Sequence, residues 1–441
     1  MRGSIQSIQR RITLLLAICM DRRHELMNDA LNTTPPIAAT PSHDQTVAAP
    51  LTYLRTPLIL LGLGLIALVP RVWHLNDFHT IDEAYHWIMR VRLFTQALQN
   101  GDWGGTNLTG HPGVVTMWLG SIGRWLATQA GVGEPGYGDG ALYMSYLRLP
   151  MAITNVVVLL LGYLTLRRLV QPSVALLGAF FWATSPFIIA HSRLLHLDAM
   201  VTSWMTLSVL LTLIGVLRSA RQRRNAIFSW ALIGSGVCAG LAFLTKGPAL
   251  VLLPAIGLLL FAFSPIGGFL NRLRWSVSAY LIWLVCAVAV IFALWPAMWV
   301  APIATVNSVI QEVIGNGGQP HAWGNYFMGR VVDDPGPLFY PVVVLFRNTP
   351  LTLLGLLLLP LALRRTGELR TKHQESRTKN ENHSSLATRY SLLAGQFNNA
   401  PCLAWRATRF CSCSPSALAA KSSIATCCRS GLRPRFWQRQ D

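Results

Sequence analysis

Apolar residues in this chain fall in long unbroken runs rather than in the alternation of strands or the narrow stripes of soluble helices. Crossing the ~30 Å hydrocarbon core of a bilayer takes about 20 helical residues. Eight runs approach that length: 56 to 73, 148 to 166, 172 to 190, 198 to 217, 226 to 244, 248 to 264, 275 to 295 and 349 to 363. The pattern predicts an all-α polytopic membrane protein. Its first loop, 74 to 147, is long and carries short surface helices. One of these covers "EAYHWIMRVRLFTQALQ", where Ile88, Val91, Phe94 and Leu98 recur at helical spacing and predict a helix lying on the membrane surface.

Polar residues between the runs set the orientation, because short loops rich in Lys and Arg stay cytoplasmic. Arg167 and Arg168 close the second run, Arg218, Arg221, Arg223 and Arg224 follow the fourth, Arg272 and Arg274 the sixth, and Arg364 and Arg365 the eighth. Every second connection is basic, as an alternating bundle requires. The segments 74 to 147, 191 to 197, 245 to 247 and 296 to 348 then face outward. They hold Asp77, Asp82, Glu83, Asp102, Glu134, Asp139, Glu312, Asp333 and Asp334, with Asp198 at a span boundary, so more than half of the 18 acidic residues share one side.

Composition agrees with a membrane class: of 441 residues, 52% are hydrophobic and 12% charged. The net charge of +19 is concentrated at the C-terminus, where 364 to 441 holds 14 Lys and Arg against 4 acidic residues and five of the eight Cys. Those Cys have neither metal-ligand spacing nor a period. Permitted codons for "AAKSSIATCCRSGL" allow a shifted frame to read Lys-Lys-Phe-Asp-Arg-Tyr-Leu-Leu-Pro, so a frameshift within 366 to 400 is expected. The basic charge is therefore no guide to partners, and nucleic acid is not expected among them. Residues 1 to 54 read as a cytoplasmic, disordered tail, 55 to 363 as the membrane region, and 364 to 441 as the basic Cys-containing tail.

Five stretches gather on the outward side: "IDEAYHW" (81 to 87), "GHPGVVTMW" (110 to 118), "HSRLLHLDA" (191 to 199), "GLAFLTKGPAL" (240 to 250) and "GQPHAWGNYFMGR" (318 to 330). Their order and spacing resemble the bacterial glycosyltransferases related to protein O-mannosyltransferases and lipid A aminoarabinose transferases, over roughly residues 55 to 363. The resemblance implies the GT-C helical bundle and a polyprenyl-phosphate-linked sugar as donor. It also implies a catalytic carboxylate in the first outer loop, at Asp82. The Lys-Lys-Phe-Asp-Arg-Tyr element of the shifted frame is typical of that family, whose members carry several more spans after the eighth.

The chemistry asks for the same residue types. A sugar transferring through an oxocarbenium-like centre to a hydroxyl needs a carboxylate on the acceptor side to take the proton. Asp82 is the candidate base, and Glu83 beside it the candidate for positioning acceptor or sugar. The leaving lipid phosphate needs positive charge, for which Arg193 and Lys246 are candidates at the outer membrane edge. His111, Asp198 and His321 are candidates for positioning substrate. No pair among His111, His196 and His321 has metal-ligand spacing, so no metal is expected. Nor is a cofactor, apart from the lipid-linked donor itself. The partners expected are membrane lipid, that donor, and a protein, lipid or glycan acceptor met on the outer face of the cell membrane. Two other readings compete: a transporter, which would place ionisable residues at mid-membrane on interrupted helices of related halves, and an inactive truncated paralogue.

Overall fold

The computed structural model describes residues 49–134, 140–221, 229–317 and 324–362. The chain divides into two compact units, Met1–Arg370 and Thr371–Asp441, and every described residue lies in the first. His321, Asp139, most of the N-terminal tail and the whole basic tail lie outside the described residues.

Each of the eight apolar runs lies largely on helix. In chain order these helices are α1 (Ala49–Val72), α2 (Ile88–Asn100), α3 (Val114–Gln129), α4 (Ala141–Leu166), α5 (Pro172–Thr184), α6 (Pro186–Ser192), α7 (Asp198–Arg221), α8 (Trp230–Thr245), α9 (Leu252–Ala262), α10 (Phe269–Leu294), α11 (Ala297–Val300) and α12 (Pro302–Gly317), then α13 (Phe339–Arg347) and α14 (Pro350–Ala362). A small antiparallel hairpin, β1 (Asn325–Phe327) with β2 (Arg330–Val332), pairs Tyr326 with Val331. The protein is thus an all-α polytopic membrane protein, with α2 and α3 as the short helices of its first loop.

Among the described residues, four helices are long and apolar enough to cross a membrane, up to six if each of two bent pairs counts as one span. Two further apolar helices, Trp230–Thr245 and Gly247–Ala262, are shorter, and both bent pairs break at proline. The run 172 to 190 breaks between α5 and α6 with a 60° bend. Ser185 there is extended (φ −62°, ψ 117°), as a residue preceding proline is forced to be. Pro350 follows a 119° bend between α13 and α14. Lys246, also extended, separates α8 from the 3₁₀ turn Gly247–Val251 that leads into α9.

The apolar stripe on α2 meets protein rather than a membrane surface. Val91 and Phe94 are buried with Trp87, Val114, Met117, Leu147, Met151, Leu195 and Trp295 in one core. Close approach makes this core dense: a Cβ on Gly120 of α3 would collide with Val91 of α2, and one on Gly123 with the backbone of α4 at Tyr146.

Deeper in the bundle, α7, α8 and α10 are fastened by polar side chains. Ser208 and Thr212 of α7 meet Ser235 of α8 at 3.0 and 2.7 Å, and Trp283 of α10 donates its indole N–H to Ser235 Oγ at 3.1 Å. Hydrocarbon offers these groups no other partners, so they pair with one another. Gly236 and Gly240 admit α10 so closely that an added Cβ would lie 2.5 Å from the Trp283 carbonyl and 2.6 Å from that of Ala287.

Candidate active site

"HTIDE" contains the spacing of a capping box, Thr80-x-x-Glu83. The Glu83 amide donates to Thr80 Oγ1 at 3.3 Å, and the Thr80 amide donates back to Glu83 Oε2 at 3.1 Å. The turn that follows, Glu83–Trp87, is π-helical before the chain settles into α2. Glu83 is fully buried and Arg148 of α4 is 1% exposed. Arg148 donates Nε to Oε1 at 2.8 Å and Nη2 to Oε2 at 2.7 Å. Its remaining donors reach the carbonyls of Leu75 and Phe78, the latter at 2.6 Å. The Leu195 amide and the Thr80 hydroxyl complete the shell of Glu83, each at 2.8 Å. Burial alone would raise the Glu83 carboxyl, but Arg148, Leu195 and Thr80 outweigh it and hold the group below the usual carboxylate range. With its oxygens so engaged, Glu83 cannot meet acceptor or sugar. It pins the first loop to α4 and to the loop before α7.

Asp82, one residue earlier, is turned the other way, its side chain 54% exposed. His196 Nε2 donates to Asp82 Oδ2 at 2.8 Å. On the far side of the same ring, Nδ1 receives the Asp198 amide at 3.4 Å and lies 3.5 Å from Asp198 Oδ2. Lys246 Nζ donates to Asp198 Oδ1 at 2.6 Å. Three outward motifs thus meet in one line, Asp82 to His196 to Asp198 to Lys246. His191, at the end of α6, lies close enough that one ring nitrogen of His191 and of His196 and an Asp198 oxygen fall within 4.8 Å of one another. Linear spacing concealed this grouping, which forms only where the end of α6 meets the start of α7.

"GHPG" joins the same neighbourhood. His111 Nε2 lies 3.1 Å from Glu312 Oε1 on α12. The Gly113 amide donates to the Thr245 carbonyl at 3.1 Å, immediately before Lys246. Gly113 has φ +60°, and an added Cβ would lie 2.5 Å from the Trp87 ring, so glycine is required twice over. Burial lowers the His111 pKa; Glu312 opposes this, while Lys246 and Arg90 reinforce it. Arg90, stacked 4.9 Å over Trp87, feels both Glu312 and Asp82.

Arg193 does not join this line. Its guanidinium donates to the carbonyls of Trp73 and of His74, the latter at 2.6 Å, beyond the end of α1. That is a helix-terminus clamp; of the two cations, Lys246 is the one hydrogen-bonded to Asp198. Four contributors escaped the sequence reading: Arg148, Arg90, His196 as the link to Asp82, and Glu312 as the partner of His111. A lone Arg148 inside "ALYMSYLRLPMAITNVVVLL" was a usable signal, since an ionisable residue in an apolar run needs a partner.

Beside Lys246 runs a groove of about 460 Å³ with an almost wholly apolar lining. Phe243, Leu253, Leu284, Ile291, Val309 and Val313 form its walls, from α8, α9, α10 and α12, and Pro112 and Gly247 form part of the lining nearest the charged line.

Residues 143–299 match the family model described as dolichyl-phosphate-mannose-protein mannosyltransferase. This segment runs from α4 to α11 and contains Arg148, His196, Asp198 and Lys246. An undecaprenyl phosphate-alpha-4-amino-4-deoxy-L-arabinose arabinosyl transferase of Pseudomonas aeruginosa (strain LESB58) is 31% identical over 205 residues, which cover 45% of this chain and 33% of the relative. One from Pectobacterium carotovorum is 28% identical over 212 residues, covering 47% and 34%. The chain thus spans about a third of the length of these curated relatives. A solved Saccharomyces cerevisiae protein O-mannosyltransferase Pmt1-Pmt2 complex bound to the sugar donor aligns with a TM-score of 0.42 and 17% identity, over 57% of this chain and 34% of that one. The resemblance read from the outward motifs is borne out: the matches are to membrane glycosyltransferases of the mannosyl- and aminoarabinosyl-transferring kind.

Proposed function

We propose that this protein is a membrane glycosyltransferase that moves a sugar from a polyprenyl-phosphate donor to a hydroxyl acceptor on the outer face of the membrane, with Asp82 as the base. The observation that carries the proposal is the placement of an exposed carboxylate, Asp82, and an ammonium, Lys246, at two ends of one hydrogen-bonded line whose Lys246 end adjoins an apolar groove.

Each part has a task in such a transfer. An isoprenoid tail fits a long groove without polar atoms. Its phosphate, leaving with developing negative charge, meets Lys246, which exchanges its bond to Asp198 for one to the leaving oxygen. The acceptor hydroxyl approaches from water and gives its proton to Asp82, which reaches solvent while Glu83 holds its loop still. His196 orients Asp82 through Nε2–H. A transporter is less well supported, since the ionisable residues gather at helix ends rather than halfway along interrupted helices.

The test is transfer itself. Purified full-length protein, given radiolabelled polyprenyl-phosphate sugars and crude membrane acceptors, should move label off the lipid in an Asp82-dependent manner. Donor left intact across several sugars by correctly folded protein would sink the proposal.

A further inference from the structure

We propose that His191, His196 and Asp198 form a three-ligand site for a divalent transition-metal ion of the zinc class, with Asp82 as the carboxylate behind the His196 ligand. The proposal rests on the geometry of these side chains and does not depend on sugar transfer.

The tautomer of His196 is the starting point. Its Nε2 faces a carboxylate oxygen of Asp82 at 2.8 Å and must carry the proton. Its Nδ1 faces the Asp198 amide at a long 3.4 Å and therefore presents a lone pair. A metal-binding histidine is built this way: one nitrogen toward the ion, the other N–H donated to a carboxylate that fixes the ring and raises its basicity. Asp198 Oδ2 lies 3.5 Å from that lone pair, while Lys246 occupies Oδ1 and leaves Oδ2 for an ion. His191 brings the third donor within 4.8 Å of the other two. Its Nδ1 is enclosed and has no hydrogen-bond partner among the described residues. An enclosed ring nitrogen without a partner is costly, and a metal bond would satisfy either nitrogen, the other turning toward water or a carbonyl.

Two imidazoles and one carboxylate suit zinc, and three protein ligands leave its fourth position open. The segment 193–197 would gain a cross-link, since α6 and the start of α7 would be tied at a single point.

The experiment uses the full chain in detergent, purified without a polyhistidine tag, stripped with a chelator, and then titrated with Zn²⁺ alone by calorimetry and with Co²⁺ by visible absorption. One equivalent of Zn²⁺ should bind, and the Co²⁺ form should show the intense visible bands of a four-coordinate site. His191→Asn should abolish that binding without costing a hydrogen bond, whereas His74→Ala, at an exposed residue paired with Asp77, should leave it intact. His191→Cys should restore binding and add a sulfur-to-cobalt charge-transfer band in the near ultraviolet. Asp82→Asn should weaken the ion by about 10- to 100-fold, the usual effect of losing a carboxylate behind a histidine ligand. Absence of bound metal in the folded wild-type protein, or wild-type affinity in His191→Asn, would overturn the proposal whether or not the protein transfers sugar.

Discussion

Arg148 grips Glu83 with two parallel hydrogen bonds of 2.7 and 2.8 Å in a pocket closed to water. Residues 65 positions apart in the chain are thereby joined under the candidate site. Breaking a buried ion pair by removing one partner costs about 3–5 kcal/mol, because the survivor is left charged and unpaired. Glu83→Gln and Arg148→Met are each expected to lower the unfolding temperature in detergent and expose the 74–80 segment to protease. The double variant that combines them, Glu83→Gln with Arg148→Met, should lose less than the sum of the singles. Additive losses would mean that the pair is not the fastening.

The same pair sets an acid limit. The folded Glu83 carboxyl titrates below its unfolded value of about 4.3. Its stabilisation is therefore complete above that value and is lost as pH falls through the depressed folded value. Unfolding curves from pH 7 down to 5 should show no loss attributable to Glu83. The wild-type protein should lose its advantage over Glu83→Gln only below the ordinary carboxylate range.

Asp82→Asn keeps shape and hydrogen bonding but cannot accept a proton. Turnover should fall roughly 10²- to 10⁴-fold with donor binding retained, measured by single-turnover transfer and by donor titration. Normal turnover in the folded variant would return Asp82 to the status of a loop residue.

Lys246 and Arg193 should separate cleanly. A charge-assisted hydrogen bond contributes about 1.5–3 kcal/mol, so Lys246→Met should weaken donor binding roughly 10- to 100-fold. Arg193→Met frees carbonyls at the end of α1 and should lower thermal stability while donor affinity stays unchanged. Equal losses of donor affinity in both would show that Arg193 also reaches phosphate.

Gly113→Ala should disturb the site without touching a charge. A left-handed backbone costs a non-glycine residue about 1–2 kcal/mol, and the new methyl would press on Trp87. A lower unfolding temperature with altered tryptophan fluorescence is expected.

Much of this architecture was legible in the sequence, because long apolar runs report helices directly. Asp82 and Glu83 show where legibility stopped. Adjacent in sequence, they have opposite surroundings, and the deciding partners, His196 and Arg148, come from other segments of the chain. The capping-box spacing of Thr80 and Glu83 already hinted that Glu83 was the inward one. Local spacing likewise missed the grouping of His191, His196 and Asp198, which depends on the bend at Ser185 and on α7 beginning at Asp198. Hydropathy is likewise blind to the direction changes at Ser185, Lys246 and Pro350.

The hydroxyl and indole contacts among Ser208, Thr212, Ser235 and Trp283 have a consequence far from where they sit. The helices they join, α7, α8 and α10, end at Asp198, Thr245 and Leu294, two of them at or beside the charged line and the third at the rim of the groove. The three behave as a tripod with its legs bolted together well below its platform. A rotation or slide of one leg would have to break the hydrogen bonds at Ser235, so the spacing at the platform is tied to contacts in the interior of the bundle.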